Sequence, residues 1–541
     1  MPSGCFALVL HAHLPFVRHP ELPEFLEEDW LFEAITETYL PLIAMMQRLI
    51  AKDVPFKLSM TLSPTLCAML RDSLLQDRFL RYLDRSIDLA AREIERNPKD
   101  AQLRALAQFY HARLSASRSQ FVSEWNGDLL EAFRRFQRQG CLEIMATAAT
   151  HGLLPLLQQS AEAVRAQVFI GCDEYRATFN ADPAGFWLPE CAYSPGLETV
   201  LQEANLRWFV LDAHGLMFGE PRPRHAIYAP YYTPAGPAAF ARDRECSRQI
   251  WSATEGYPGD PAYRDFYRDI GFDRPLEYIL PGSNALQNGR FTGLKYHRVT
   301  GGKGEKQLYE PAAAARVAEV HATHFLETIR EKMSELNALG LTPIVVAPFD
   351  AELFGHWWFE GPLFLESFFC AAAFDDQDLR LIRNENSLRP KLLLTTPTKF
   401  LSDHPSQQEI KPAASSWGEN GHLGVWVDPS NAWILPHLHS AAERLTALVR
   451  SHLSDSSEET DRVLKQLTRE LLLAQSSDWA FLIKMDTARH YATQRVTDHL
   501  FRFNCLHEQF VRGAPVKDFV ADCEARDNLF PDVNWRYYSP C

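Results

Sequence analysis

The sequence predicts an α/β barrel extended by helices, and three observations carry that reading. Near-continuous apolar runs recur through the first 400 residues, as strands buried on both faces require. Helical stretches lie between several of them. The side chains best suited to chemistry stand at the C-terminal ends of those runs, where barrel sites are built. A doubly wound sheet would ask for a glycine-rich turn after its first strand, and HAHLPF (11–16) has none.

Taken in order, the strand-like runs are CFALVLHAH (5–13), PFKLSMTLS (55–63), LEIMATAAT (142–150), GFWLPE (185–190), RWFVLDAH (207–214), TPIVVAPFD (342–350) and KLLLTTPTKF (391–400). Between the second and third, a helix over about 75–96 sets Phe79, Leu80, Leu83, Ile87, Ala90 and Ile94 on one face. A second helical stretch, AQLRALAQFYHARL (101–114), follows the break NPKD. Together they read as a helical insertion over about 72–138. The polar, proline-containing SDHPSQQEIKPAASS (402–416) reads as a linker or surface loop. Beyond it the strand signal fades into three helical stretches, 437–453, 461–475 and 487–510. The expected division is therefore a barrel over 1–402 and a helical C-terminal domain over 403–541.

Composition narrows the partners. With 541 residues, 46% of them apolar, a large core is available, and a formal charge of −14 disfavours nucleic acid and anionic membranes. No apolar stretch is long enough to span a bilayer, and the N-terminal apolar run reads as a strand, not a signal peptide. Ten cysteines are scattered without a CxxC pair, which points to reduced thiols and a cytoplasmic location.

Two carboxylates stand out. Glu190 closes GFWLPE and Asp350 closes TPIVVAPFD; each follows a proline within two residues and sits among aromatics. A charge left unpaired in such surroundings is costly. Paired carboxylates beside aromatic surfaces suit glycoside cleavage, one attacking the sugar carbon and the other moving a proton. On composition alone, a helix cap or an arginine pair accounts for either residue equally well. His11 and His13 are two apart and share one strand face. With Asp350 and Glu352 they match a zinc pattern; the competing reading is hydrogen bonding to sugar hydroxyls and to the carboxylates. Trp251, Trp357, Trp358, Trp417 and Trp426 lie in segments rich in Gly, Ser, Asn and Asp, as in SSWGENGHLGVWVD (415–428), which suits indoles stacked on sugar rings. For any single tryptophan, core packing is the commoner role. The loop TGGKGEK (300–306) lacks the spacing of a phosphate loop.

These segments together resemble glycoside hydrolase family 57, in particular its α-1,4-glucan branching enzymes, over most of the chain. HAHLPFVRHP (11–20), ATHGLLPLL (149–157), GFWLPECAY (185–193) and PFDAELFGHWWFEGP (348–362) look like its successive motifs, and 415–428 with AQSSDWAFLI (474–483) look like its C-terminal region. The resemblance implies a (β/α)7 barrel with a helical insertion and a helical C-terminal domain that completes the glucan cleft. It implies Glu190 as nucleophile, Asp350 as acid/base, and neither cofactor nor metal in catalysis. It implies substrate contacts from His11, His13, His151, Trp251, Arg264, Trp357, Trp417, Trp426 and Asp478, and an α-glucan as partner. One departure matters. Branching enzymes of this family carry a tyrosine on a mobile loop, placed here at DAHGLMFGEPRPR (212–224), where the nearest aromatic is Phe218 and Tyr228 comes later. Without that hydroxyl, transfer is expected to weaken relative to hydrolysis. The other readings carried forward are an amylase or 4-α-glucanotransferase, a metal-dependent hydrolase such as a deacetylase, and a non-catalytic glycan binder.

Overall fold

The computed structural model describes residues 3–252, 255–281, 289–301, 305–374, 391–455, 457–514 and 516–539. Residues 302–304 of the TGGKGEK loop fall outside them.

The strands are β1 (Ser3–Ala12), β2 (Leu58–Leu62), β3 (Leu142–Thr147), β4 (Gly185–Trp187), β5 (Trp208–Leu211), β6 (Tyr231–Tyr232), β7 (Ala238–Ala241), β8 (Ile344–Asp350) and β9 (Lys391–Leu394). Among the described residues they form one curled sheet in the order β6-β7-β5-β4-β3-β2-β1-β8. Every neighbouring pair except β6–β7 is parallel. A parallel bridge between Arg242 and Val346 joins the β7 side to β8 and brings the two ends of the parallel series together.

The strand KLLL at 391–394 forms as expected, but among the described residues it pairs only with Ser3–Phe6 at the start of β1. The place between β5 and β8 goes to β7, whose Ala-Ala-Phe-Ala was not expected as a strand. Pro397 then starts a helix, Pro397–Asp403, capped by the Thr396 hydroxyl. Its Phe400 packs into the barrel interior.

The two-residue period of a strand sorts the side chains into two layers. In β1, Cys5, Ala7 and Val9 point into the barrel, while Phe6, Leu8 and Leu10 pack outward against helices. The inner layer continues with Met145, Trp187, Trp208, Val210, Ala238, Phe240, Ile344 and Val346. Trp187 and Trp208 are fully buried. Rings of that size remove about 150–250 Å² each from water, roughly 4–6 kcal/mol apiece at the usual area coefficient.

Helices Ser73–Arg96 and Ala101–Ser119 lie between β2 and β3, started by side-chain caps from Asp72 and Asp100. A long stretch between β7 and β8 carries helices Arg244–Trp251 and Pro311–Ala338. After the barrel come Ile434–His452, Glu458–Ala474, Ser477–Met485, Arg489–Val511 and Lys517–Arg526.

Candidate active site

The inward layer of each strand, extended to its C-terminal end, places polar groups on one rim. In β1 the series Cys5, Ala7, Val9 continues to His11 and then His13. In β8, Ile344 and Val346 lead to Asp350, and the register pairs His11 with Asp350. Past β3 and β4 the chain turns through His151 and Glu190. Both hold left-handed backbone, with φ of 58° and 60°, a conformation that costs a non-glycine residue on the order of 1 kcal/mol or more. Such cost concentrates where a side chain must be aimed.

Trp417, from the segment after the barrel, is bonded twice to Glu190. Its backbone N–H donates to the Glu190 carbonyl (3.0 Å) and its indole N–H to the carboxylate Oε2 (2.7 Å). The Glu190 side chain is 17% exposed and lies 3.9 Å from His151 Nδ1. Burial pushes its pKa up to about 8; the Trp417 N–H opposes that rise and the Asp350 charge adds to it. Asp350 is also pushed well above the usual carboxylate range, by burial and then by Glu352, with Arg242 opposing. The two acids differ in one respect. Glu190 has a donor that favours its anion, whereas no hydrogen bond reaches the Asp350 carboxyl from the described residues. The difference in donors favours the charged form at Glu190 over the charged form at Asp350.

The histidines sit in two separate hydrogen-bonded chains. His11 Nε2 meets His151 Nε2 at 2.9 Å, and His151 Nδ1 meets Ser477 Oγ at 2.9 Å. His13 Nδ1 meets Ser63 Oγ at 2.9 Å, and His13 Nε2 meets Asp478 Oδ2 at 3.0 Å. Burial acts to raise Asp478, but His13 outweighs it and holds the carboxyl at about 2. His11 stacks on Trp187, with centroids 4.6 Å apart. Burial holds His11 and His151 well below the usual imidazole value, which favours their neutral forms.

The zinc pattern expected from His11, His13, Asp350 and Glu352 is not what the fold gathers. Among the described residues one group of ligand-type atoms, from Glu470, His499 and Asp527, lies among the C-terminal helices, and at this rim the ligand-type atoms within 4.8 Å of one another belong to His13, His151 and Asp478. All four ring nitrogens of those two histidines already sit in hydrogen bonds.

Other expected contacts divide by exposure. Trp251 is 40% exposed and stands edge-on to Trp417, centroids 6.1 Å apart. Trp357 is 53% exposed and stacks on Phe266 at 4.4 Å. Trp426 is only 2% exposed and packs with Leu153, Ala192 and Val425, so its ring meets protein rather than sugar. Arg264 is likewise enclosed, donating to Glu37 at 2.6 Å and lying over the Phe359 ring. Both differ in this from Trp251 and Trp357, whose rings are exposed.

Sequence reading missed Asp212 and Arg242. They extend the inward layers of β5 and β7 (Trp208, Val210, Asp212; Ala238, Phe240, Arg242) and pair at 2.9 Å. His214 binds Asp212 at 2.8 Å. The two-residue step from Val210 would have found Asp212; Arg242 was hidden because its strand was not recognised.

The chain belongs to glycosyl hydrolase family 57, whose model matches residues 7–408. A second model, the C-terminal region of 1,4-alpha-glucan branching enzymes, matches residues 437–538. A 1,4-alpha-glucan branching enzyme of Thermococcus kodakarensis is 34% identical, over 98% of this chain and 78% of its own. Among solved structures, the alpha-amylase AmyC of Thermotoga maritima superposes with a TM-score of 0.90 at 40% identity, covering 100% of this chain and 99% of that one. The branching enzyme of Pyrococcus horikoshii gives 0.85 at 32% identity, covering 100% and 97%.

Proposed function

We propose that this chain is a retaining 1,4-α-glucan branching enzyme with Glu190 as nucleophile and Asp350 as acid/base. The observation that carries the chemistry is the asymmetry of the two acids: an indole N–H on Glu190, and none from the described residues on Asp350. Glu190 attacks the anomeric carbon of an α-1,4-linked glucose while Asp350 gives its proton to the leaving oxygen. A covalent glycosyl-enzyme forms and the shortened chain departs. A 6-hydroxyl of a glucan then attacks the same carbon, Asp350 recovers a proton from it, and Glu190 leaves as carboxylate with an α-1,6 branch made. His11, His13, His151 and Asp478 are read as groups that hold the reacting sugar, and Trp251, Trp357 and Trp417 as stacking surfaces.

Transfer requires that water be kept from the intermediate. The domain reading serves that end: a barrel over 1–402 with its insertion at 72–138, and a helical domain over 403–541 that completes the cleft. Its Trp417, Ser477 and Asp478 reach Glu190, His151 and His13 across the boundary. The nine described cysteines are free, in keeping with a cytoplasmic role. No helix among the described residues is long and apolar enough to cross a membrane.

A second reading, mainly hydrolytic, is favoured by one residue. Phe218 is 62% exposed on the segment where a tyrosine was expected, and it has no hydroxyl to hold an acceptor. Incubation with amylose separates the readings. New α-1,6 linkages by proton NMR without rising reducing ends mean branching; rising reducing ends mean hydrolysis; altered chain lengths with neither mean disproportionation.

A further inference from the structure

Two residues beyond Asp350 lies a third acid that the mechanism above does not use. Glu352 is buried. Its Oε1 accepts from the Tyr39 hydroxyl at 2.5 Å and from the His13 backbone N–H at 3.2 Å. Tyr39 is fully buried and ends a π-helical turn, Ile35–Tyr39. Turns of that kind are rare and gather at functional sites. The turn is locked to the loop after β8. The Gly355 backbone runs so close to the Glu37 carbonyl that an added Cβ would stand 1.8 Å from it. His356 N–H donates to Thr38 Oγ1 at 3.2 Å, and His356 Nδ1 lies 3.2 Å from Glu37. A helix with an extra residue in its turn, clamped to this loop, thus presents one hydroxyl to one carboxylate beside Asp350.

We propose that Glu352, held by Tyr39 and His13, is a positioning residue whose negative charge keeps the transferable proton on Asp350. This rests on the reading of Asp350 as proton donor. The groups facing the pair come from five other elements, one of them the turn after β4, whose Glu190 feels the Asp350 charge. Tyr39 approaches from the π turn and His13 from the end of β1. Arg242, from the end of β7, opposes the effect; Asp478, from the helix Ser477–Met485, reinforces it. Burial pushes Glu352 itself up to about 7, against the Tyr39 hydroxyl and the His13 N–H. Tyr39 therefore matters because it favours the charged form on which the effect on Asp350 depends.

The test is Glu352→Gln, whose amide oxygen still accepts from Tyr39 and His13 while the charge is gone. In the pH profile of kcat/KM on amylose, the basic limb reports loss of the Asp350 proton. Without a like charge beside it, Asp350 gives up that proton sooner, so the limb moves to lower pH by about one unit. Amylose cleavage above the limb falls about tenfold. Hydrolysis of α-maltosyl fluoride, whose leaving group needs no proton, stays at the wild-type rate. Tyr39→Phe shifts the limb in the same direction by less, and serves if the first variant fails to fold. A limb unmoved in the variants overturns the proposal, as does an equal loss on amylose and on the fluoride. If the wild-type limb is not the one that Asp350→Asn removes, the donor assignment itself fails, and that outcome is read before either variant is made.

Discussion

Trp417 grips Glu190 from two sides, through main chain and side chain, at 3.0 and 2.7 Å. The contact spans 227 residues and joins the segment after the barrel to the turn after β4. It fixes the carboxylate in a left-handed turn and supplies the donor that favours its charged form.

Replacing Trp417 with Phe keeps a ring and the main-chain bond but removes the indole N–H. A hydrogen bond to a charged group contributes about 1.5–3 kcal/mol, so activity should fall roughly 10- to 100-fold. The sign of the pH effect follows from the anion's loss of a donor. Glu190, already raised to about 8, rises further. Because activity needs the ionised form, the acidic limb of kcat/KM moves to higher pH. A pH–rate profile of the variant checks this, and an unmoved limb argues against the contact's electrostatic role.

Asp350→Asn removes the proton donor and leaves the nucleophile. Amylose cleavage should fall by about 10²–10⁴-fold, the usual worth of a positioned acid, while formation of the glycosyl-enzyme from an α-glucosyl fluoride stays within about tenfold and its release, which needs the base, is slowed. Added azide should restore turnover on such activated substrates and yield the α-glycosyl azide, since an anion needs no base to attack the intermediate.

Much of this site was legible in the sequence, and the limits have physical causes. Glu190, Asp350, His11 and His13 close long apolar runs, so their placement on a rim followed from strand period and strand ends. β7 was missed because Ala238–Ala241 offers three alanines and one phenylalanine, without the β-branched residues that mark a strand; it is made a strand by its neighbours β5 and β6. Arg242 went unseen with it. That Trp426 and Arg264 are enclosed by protein could not be read, because a sequence shows a residue's type and not its surroundings. Trp417 and Trp426 stand nine apart in one loop, yet one bonds the candidate nucleophile and the other lies in the packing beneath.

That difference is measurable. Trp426→Ala opens a cavity and should cost about 3–5 kcal/mol of stability, read as a lowered melting temperature. Trp251→Ala, at an indole 40% exposed, should leave the melting temperature close to wild type and raise KM for amylose severalfold.

Phe218→Tyr tests the loop. Restoring a hydroxyl at this exposed position should raise the ratio of α-1,6 linkages formed to reducing ends released, scored on amylose by proton NMR and a reducing-end assay. An unchanged ratio would show that Phe218 does not occupy the place where a tyrosine assists transfer.

The central claim is that Glu190 becomes covalently bound to sugar. Incubation with 5-fluoro-α-maltosyl fluoride, which slows release of the intermediate, followed by peptide mass mapping, tests it directly. The account predicts a single fluoroglycosyl adduct on the peptide carrying residues 185–193, at Glu190, and none in Glu190→Gln. An adduct on any other residue, or turnover of amylose undiminished in that variant, would contradict it.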